Sequence, residues 1–282
     1  MTATKNLIRH LVPRPIRNAI RRPKVLVTRI AAKLSAMCGR FDMVKMTTDW
    51  ELKCHPLCKP DFAVFQTDPE QRDELTRFIE QIKPGLHFLD VGAHWGVFSL
   101  AALRYGGESA KCLCIEASNA AAATLKANFA LNDKLGQVTI VNAACGEHVG
   151  TLQMLTTGAG GSDYFVVPSE PRPDTIQVPQ VTVDSVCESE SFSPTHIKID
   201  VEGYEEEVLR GAQRTIQRHE PALFIELHGH HIHARIKEPE TVLALLTQLG
   251  YTQWTSVDGK LLGQPELIAA NYCVRFFATK AQ

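Results

Sequence analysis

Apolar positions in this chain follow two rhythms that alternate along most of its length. From residue 69 Leu75, Phe78, Ile79 and Ile82 return at the three- and four-residue spacing of an amphipathic helix. Asp68 offers a capping carboxylate, Pro69 suits the first helical position, Gln71 stands three after Asp68, and Pro84-Gly85 stops the helix. Short apolar runs then predict strands over 88–91, 111–116, 138–144, 196–200, 222–227, 253–257 and 272–278. Helical patterns fill 97–105, 120–131, 205–217 and 240–249. Strand and helix in this alternation mean βαβ units, right-handed crossovers and a mostly parallel sheet, closed by an antiparallel strand near residue 278.

One segment breaks the rhythm. Residues 150–186 hold apolar runs at 151–155, 164–167 and 181–186, a Gly158-Ala-Gly-Gly161 turn and a proline-rich stretch, with no helical period. Such short runs between turns predict strands of an antiparallel insertion on the sheet edge. The expected organisation is an N-terminal extension over 1–40, a hairpin and helix over 41–85, and an α/β domain over 86–282 that carries the insertion 150–186. At 282 residues and 44% hydrophobic content, one large domain with extensions suffices.

Where strands meet helices, polar residues interrupt the apolar pattern. Asp90-Val-Gly-Ala-His-Trp-Gly96 lies at the junction of the first parallel strand and its helix, where glycines let the backbone approach a ligand. A dinucleotide fingerprint starting at Gly92 needs glycines at 94 and 97, and the chain has His94 and Val97, which disfavours NAD. The second strand ends on Glu116, 20 residues after Gly96, and a carboxylate there can accept both hydroxyls of a ribose. Further on, Ile197-Lys-Ile-Asp-Val-Glu-Gly203 sets Lys198 and Asp200 on one pleat face, with Glu202 just beyond. Parallel strands normally read as apolar runs, so these charges need a functional reason or a capping role toward the following helix.

Together these blocks resemble the FkbM family of S-adenosylmethionine-dependent methyltransferases. The similarity runs through Asp90–Gly96, Ile115-Glu116-Ala117, 138–146, Val183-Asp184-Ser185, Lys198–Gly203 with Val208-Leu-Arg-Gly-Ala212, and Ile225-Glu-Leu-His228. It implies a class I methyltransferase fold, a Rossmann-like α/β sandwich on a seven-stranded, mostly parallel sheet, with S-adenosylmethionine as cofactor. It further implies that Asp90, Gly92, His94 and Gly96 face the methionine end, that Glu116 and Ala117 hold the ribose, and that Asn142 and Ala143 lie near the adenine. Trp95 and Ala117-Ser118 depart from the residues such motifs often carry.

Methyl transfer to a neutral alcohol requires alignment and removal of a proton, for which a positioned base contributes roughly 10²–10⁴-fold. The candidates are His228, Asp200, Glu202 and Lys198, with Glu226 beside them. His228 stands two residues after Glu226 and is read either as the base or as a rim histidine. A divalent metal on a strand-end aspartate is considered but not favoured, because no second ligand pattern is evident. His228-Gly-His-His-Ile-His233 is read as a polar substrate-side loop, and Cys54-His55-x-x-Cys58 as a hairpin with incidental cysteines, since neither completes a zinc set. Gly160–Tyr164 is a weak candidate for a turn closing over the acceptor.

Charge changes the picture at the N-terminus. Residues 1–40 hold ten Lys/Arg and no Asp/Glu, leaving 20 basic against 31 acidic residues in the remainder. Within 22–40 the cations and the apolar residues segregate to two helical faces, which suits peripheral contact with an anionic membrane or, equally, a solvated tail or a helix docked on the acidic body. Nucleic acid is not expected as a partner. Eight scattered cysteines point to reduced thiols and a cytoplasmic location. The expected activity is O-methylation of a saccharide or secondary-metabolite hydroxyl. A non-catalytic nucleoside- or glycan-binding regulator is the alternative of another class, and an NAD-dependent dehydrogenase the least favoured.

Overall fold

Alternation along the strands decides which residues meet which layer. The computed structural model describes residues 31–32, 34–36, 38–156, 164–166, 175–235, 237–263 and 273–280. A hairpin of β1 (Asp42–Lys45) and β2 (Glu51–Cys54) leads into α1 (Lys59–Thr67) and α2 (Pro69–Gln81). The Asp68 carboxylate caps α2 by accepting the Gln71 N–H at 3.1 Å, as the spacing predicts. There follow β3 (His87–Val91), α3 (Val97–Tyr105), β4 (Lys111–Ile115), α4 (Asn119–Leu131) and β5 (Val138–Val141). The insertion comprises β6 (Ala144–Cys145), β7 (Gly150–Thr156), β8 (Tyr164–Val166) and β9 (Thr175–Val181). After α5 (Val183–Ser189) come β10 (His196–Ile199), α6 (Glu205–Arg210), α7 (Gln213–His219) and β11 (Ala222–Leu227). The chain continues through α8 (Gly229–Ala234), α9 (Pro239–Gln248), β12 (Tyr251–Ser256) and β13 (Val274–Lys280).

The main sheet has seven strands in the order β12-β13-β11-β10-β3-β4-β5. All neighbours from β11 to β5 are parallel, and β13 runs antiparallel to both β11 and β12. The chain order reverses between β3 and β10, so their C-terminal ends open a crevice at a topological switch point. One sheet face sends Leu89, Val91, Ile197, Ile199, Leu223 and Ile225 into a core with α5, α7 and α9. The other sends Phe88, Cys112, Cys114 and Phe224 toward α1 to α4, where the Phe78 ring lies 5.0 Å from Phe88 and 5.2 Å from Phe98.

Four expectations are corrected. The run 138–144 is not one strand: β5 ends at Val141, and Ala144–Cys145 pairs instead with Gln180 and Val181. Residues 181–186 are not a strand, because the Thr182 hydroxyl accepts the Ser185 N–H and the Ser185 hydroxyl accepts the Thr182 N–H, a capping box that starts α5. The insertion does not extend the edge of the main sheet; it forms its own four-stranded sheet in the order β6-β9-β7-β8. The helix predicted over 205–217 divides at Gly211, where a Cβ would stand 2.1 Å from the Gly146 carbonyl oxygen, so the close approach of that loop requires glycine.

The basic segment read over 1–40 lies almost wholly outside the described residues, as do the Gly158–Gly161 turn, the acceptor-side residues 160–163 and Tyr272. No helix among the described residues is long and apolar enough to cross a membrane. Replacing Asp68 by Ala removes the α2 cap and is expected to lower stability by about 1 kcal/mol; urea unfolding at constant denaturant slope measures it, and an unchanged midpoint would show that the cap contributes nothing.

Candidate functional site

Strand register brings the polar interruptions of the sequence into one row. Lys198 pairs with Asp90 on one side and Phe224 on the other. Two residues further along the same face stand Asp200 after β10, Glu226 in β11 and Arg275 in β13, the last two directly opposite each other. Glu74 of α2 reaches down onto this row, with Arg275 Nε 3.1 Å from its Oε2 and Arg275 Nη2 2.5 Å from Glu226 Oε1. Lys198 is 2% exposed, its ammonium 2.7 Å from Asp200 Oδ2 and 4.7 Å from the centroid of the Phe98 ring.

The electrostatics follow from burial. Burial disfavours the Lys198 charge, but Asp200, Glu226, Glu74 and Asp90 outweigh it and hold the ammonium above the ordinary lysine range. For Asp200 burial pushes upward, and the Lys198 charge overrides it to bring the carboxyl down to about 2. For the other acids burial outweighs the nearby cations and raises Glu74 to about 8, Asp90 to about 6 and Glu202 to about 7. The chamber therefore holds more carboxylates than its built-in cations neutralise.

His228 follows β11 at the start of α8, still on the face of Glu226. Its Nδ1 lies 2.9 Å from Glu205 Oε1, and its Nε2 faces Glu202, Glu226 and Asp200. Burial opposes its charge, yet the Glu205 hydrogen bond and the surrounding carboxylates lift it to about 9. The histidine run is not a loop: residues 229–234 form α8, and His231 Nδ1 lies 3.0 Å from Glu202 Oε2. Cys54 and Cys58 are buried core residues, their thiols pushed up by desolvation.

Two cavities flank the β3–α3 turn. The first, of about 160 Å³, is lined by Gly92, His94, Glu116, Ala117, Ala143 and Met154 among others. The second, of about 330 Å³, lies under α1 and α2 and includes Asp61, Glu74, Asp90, Trp95, Lys198 and Glu226. Gly92, His94, Asp200 and Glu202 line both, so the cavities adjoin there. Gly92 has φ +84°, and a Cβ on it would stand 1.8 Å from the Asp200 carbonyl oxygen, which is why the turn can press against the end of β10.

Glu116 is 7% exposed, and each carboxylate oxygen accepts a backbone N–H, from His94 at 2.8 Å and from Ser118 at 2.7 Å. Asn142 lines neither cavity; its side-chain amide donates to the Glu116 carbonyl at 2.7 Å. Asp90 and Gly96 belong to the second cavity rather than the first, Asp90 accepting the Ser99 hydroxyl. Glu74, Arg275, Tyr204, Leu152 and Met154 escaped sequence reasoning. Helical spacing from Phe78 does put Glu74 on the buried face of α2, and alternation in β13 puts Arg275 on the face of Phe277.

A switch-point crevice with a glycine turn, a strand-end Glu116 and a seven-stranded sheet reversed at β13 defines the class I, Rossmann-like methyltransferase fold. Residues 90–252 match the Methyltransferase FkbM domain, and the chain belongs to that family of S-adenosylmethionine-dependent methyltransferases. Among solved structures, methyltransferase FkbM from Methylobacillus flagellatus is similar at 17% identity and TM-score 0.48, covering 79% of this chain and 51% of its own. This chain thus spans about half the length of that protein. A SAM-dependent methyltransferase from Aquifex aeolicus is similar at 14% identity and TM-score 0.41, covering 76% and 95%. Aeropyrum pernix fibrillarin, solved with S-adenosylmethionine natively bound, is similar at 10% identity and TM-score 0.45, covering 74% and 73%. No curated protein sequence matches the chain.

Two outcomes are expected of this geometry. Lys198→Met leaves the surrounding carboxylates without their buried counter-charge and lowers stability by roughly 3–5 kcal/mol, read from chemical denaturation; a loss below about 1 kcal/mol would mean the row does not depend on Lys198. For Glu116, burial raises the carboxyl to about 7, with Asp90 and Asp200 adding negative charge nearby. The ionised form accepts ribose hydroxyls, so affinity for S-adenosylhomocysteine should hold above about 7 and fall as pH drops through that value. Calorimetry across that range, with Glu116→Gln losing the dependence, is the check.

Proposed function

We propose that this chain transfers a methyl group from S-adenosylmethionine to a hydroxyl of a saccharide or secondary-metabolite scaffold. The observation that carries the reading is the pair of adjoining cavities, one beside Glu116 and the other lined by carboxylates, sharing Gly92, His94, Asp200 and Glu202. The residues present fit the cofactor. Glu116 keeps lone pairs free for ribose hydroxyls after accepting two backbone N–H groups, Gly92 lets the backbone close on a ligand, and the surplus of carboxylates favours a cation between the cavities. When bound, S-adenosylmethionine supplies a methyl group on a positively charged sulfur.

The chain's own contribution is orientation and exclusion of water. Asp61, Glu74, Asp200, Glu202 and Glu226 offer acceptors for the hydroxyl donors of a polyol, and Phe62, Phe65, Trp95 and Phe98 offer flat apolar surface beside them. Alignment of a nucleophile in such a chamber supplies a large share of the rate. Glu202, between the cavities and still partly exposed, is placed to take a proton or to orient the acceptor, whereas Lys198 is held as a cation by its neighbours.

Calorimetry with S-adenosylhomocysteine, followed by methyl incorporation from labelled S-adenosylmethionine into a panel of free saccharides and polyols, is the direct experiment. Binding with micromolar affinity, weakened at least tenfold in Glu116→Ala, is expected. Absence of binding would overturn the methyltransferase reading, and label recovered on amines but not on hydroxyls would overturn the acceptor class.

A further inference from the structure

Orientation of an acceptor does not account for the way His228 is built. Glu205 is fully buried, and its Oε1 accepts the Gly203 N–H at 3.0 Å as well as meeting His228 Nδ1 at 2.9 Å. That contact fixes the imidazole plane and directs Nε2 at three carboxylates: Glu202 Oε2 at 3.5 Å, Glu226 Oε1 at 3.6 Å and Asp200 Oδ1 at 4.0 Å. All three separations exceed a good N–H···O hydrogen bond. They fall instead in the range of neighbouring ligand atoms that each lie about 2.0–2.2 Å from one ion, which are roughly 3–4 Å from each other.

We infer that Asp200, Glu202 and His228 bind one divalent cation at the junction of the two cavities. One ligand atom from each of the three lies within 4.8 Å of the others. Glu202 Oε2 also lies 3.0 Å from His231 Nδ1, a contact that the ion would replace. Glu226 Oε1 is already engaged by Arg275, and Asp200 gives Oδ2 to Lys198 while Oδ1 stays turned toward His228. The ligand set is therefore one imidazole and two carboxylates, with positions left for water or an acceptor oxygen. A buried carboxylate behind the second ring nitrogen is the arrangement that holds a ligating histidine in the required tautomer. The alternative grouping of Glu226, His228 and Cys273 uses the same imidazole, so only one of the two can be filled at a time.

Nitrogen and carboxylate oxygen together suit manganese, iron or zinc more than calcium. Asp200 and Glu202 line both cavities, so the ion would sit at their junction, where it could hold two neighbouring hydroxyls of an acceptor. This part of the inference rests on the methyl-transfer reading, whereas the site itself does not.

The test is electron paramagnetic resonance of the full chain titrated with Mn²⁺, with and without S-adenosylhomocysteine. One bound Mn²⁺ per chain is expected, displaced by Zn²⁺. Affinity should fall at least tenfold in Glu202→Gln and in His228→Ala, and about 10–100-fold in Glu205→Gln, which touches the ion only through His228. An unchanged far-ultraviolet circular dichroism spectrum and urea midpoint show that each variant is folded, and Glu202→Gln, at a partly exposed position, carries the test if His228→Ala unfolds. No bound Mn²⁺ at millimolar concentration, or equal binding in the wild type and in folded Glu202→Gln, would overturn the site. Mn²⁺ binding without any binding of S-adenosylhomocysteine would support the site and overturn the methyl-transfer reading, so the two failures are distinct.

Discussion

The ammonium of Lys198 is the charge on which the rest of this site depends. It lies in the middle of a parallel sheet, where isolated charges are strongly disfavoured, and it persists because Asp200 contacts it directly while Asp90, Glu74 and Glu226 surround it. The dependence is mutual. Without that cation Asp200 would share the upward shift of its neighbours, and the carboxylates at the ends of β10 and β11 would repel one another. A second cation, Arg275, bridges Glu74 on the covering helix to Glu226 on the sheet. One ion pair along the end of β10 and one bridge between the layers thus fix the carboxylate end of the sheet.

The arrangement of that end matters because the two cavities meet there, at Gly92, His94, Asp200 and Glu202. The β3–α3 turn presses against the end of β10 through Gly92, and Glu202 and Gly203 both adopt positive φ as the chain leaves β10. Backbone in this conformation is uncommon for a glutamate and persists where surroundings over-determine it. Here the His231 contact, the Glu205 anchor on Gly203 and the Arg235 bond to the Gly203 carbonyl supply those constraints. The acidic residues at the start of α6 are consequently not a simple dipole-capping cluster. Glu205 serves the imidazole, while Glu206 and Glu207 pair with Arg210, Lys237 and Arg235.

Much of this was legible in the sequence because sheet alternation has a period of two. Asp90, Lys198, Asp200, Glu226 and His228 were readable as polar residues at the ends of apolar strands, and the shared face of Lys198 with Asp200, and of Glu226 with His228, followed from position alone. The capping signal at Asp68 was local chemistry and needed no context. The failures were also local in origin. The run 181–186 is apolar enough to read as a strand, but Thr182 and Ser185 satisfy each other's backbone and start a helix. Residues 142–143 look like strand continuation and instead let the chain leave one sheet for another.

The sequence by itself determined the main βαβ alternation, the glycine turn after β3 and the acidic tip of β4, because each depends on residues within one or two turns of chain. Tertiary structure alone decided that Glu74 and Arg275, some 200 residues apart, complete the chamber. It also decided that His228 faces three carboxylates with Glu205 behind it. Those relations arise from how separate elements pack and how buried charges balance, and no local pattern encodes the distance between residues on different strands.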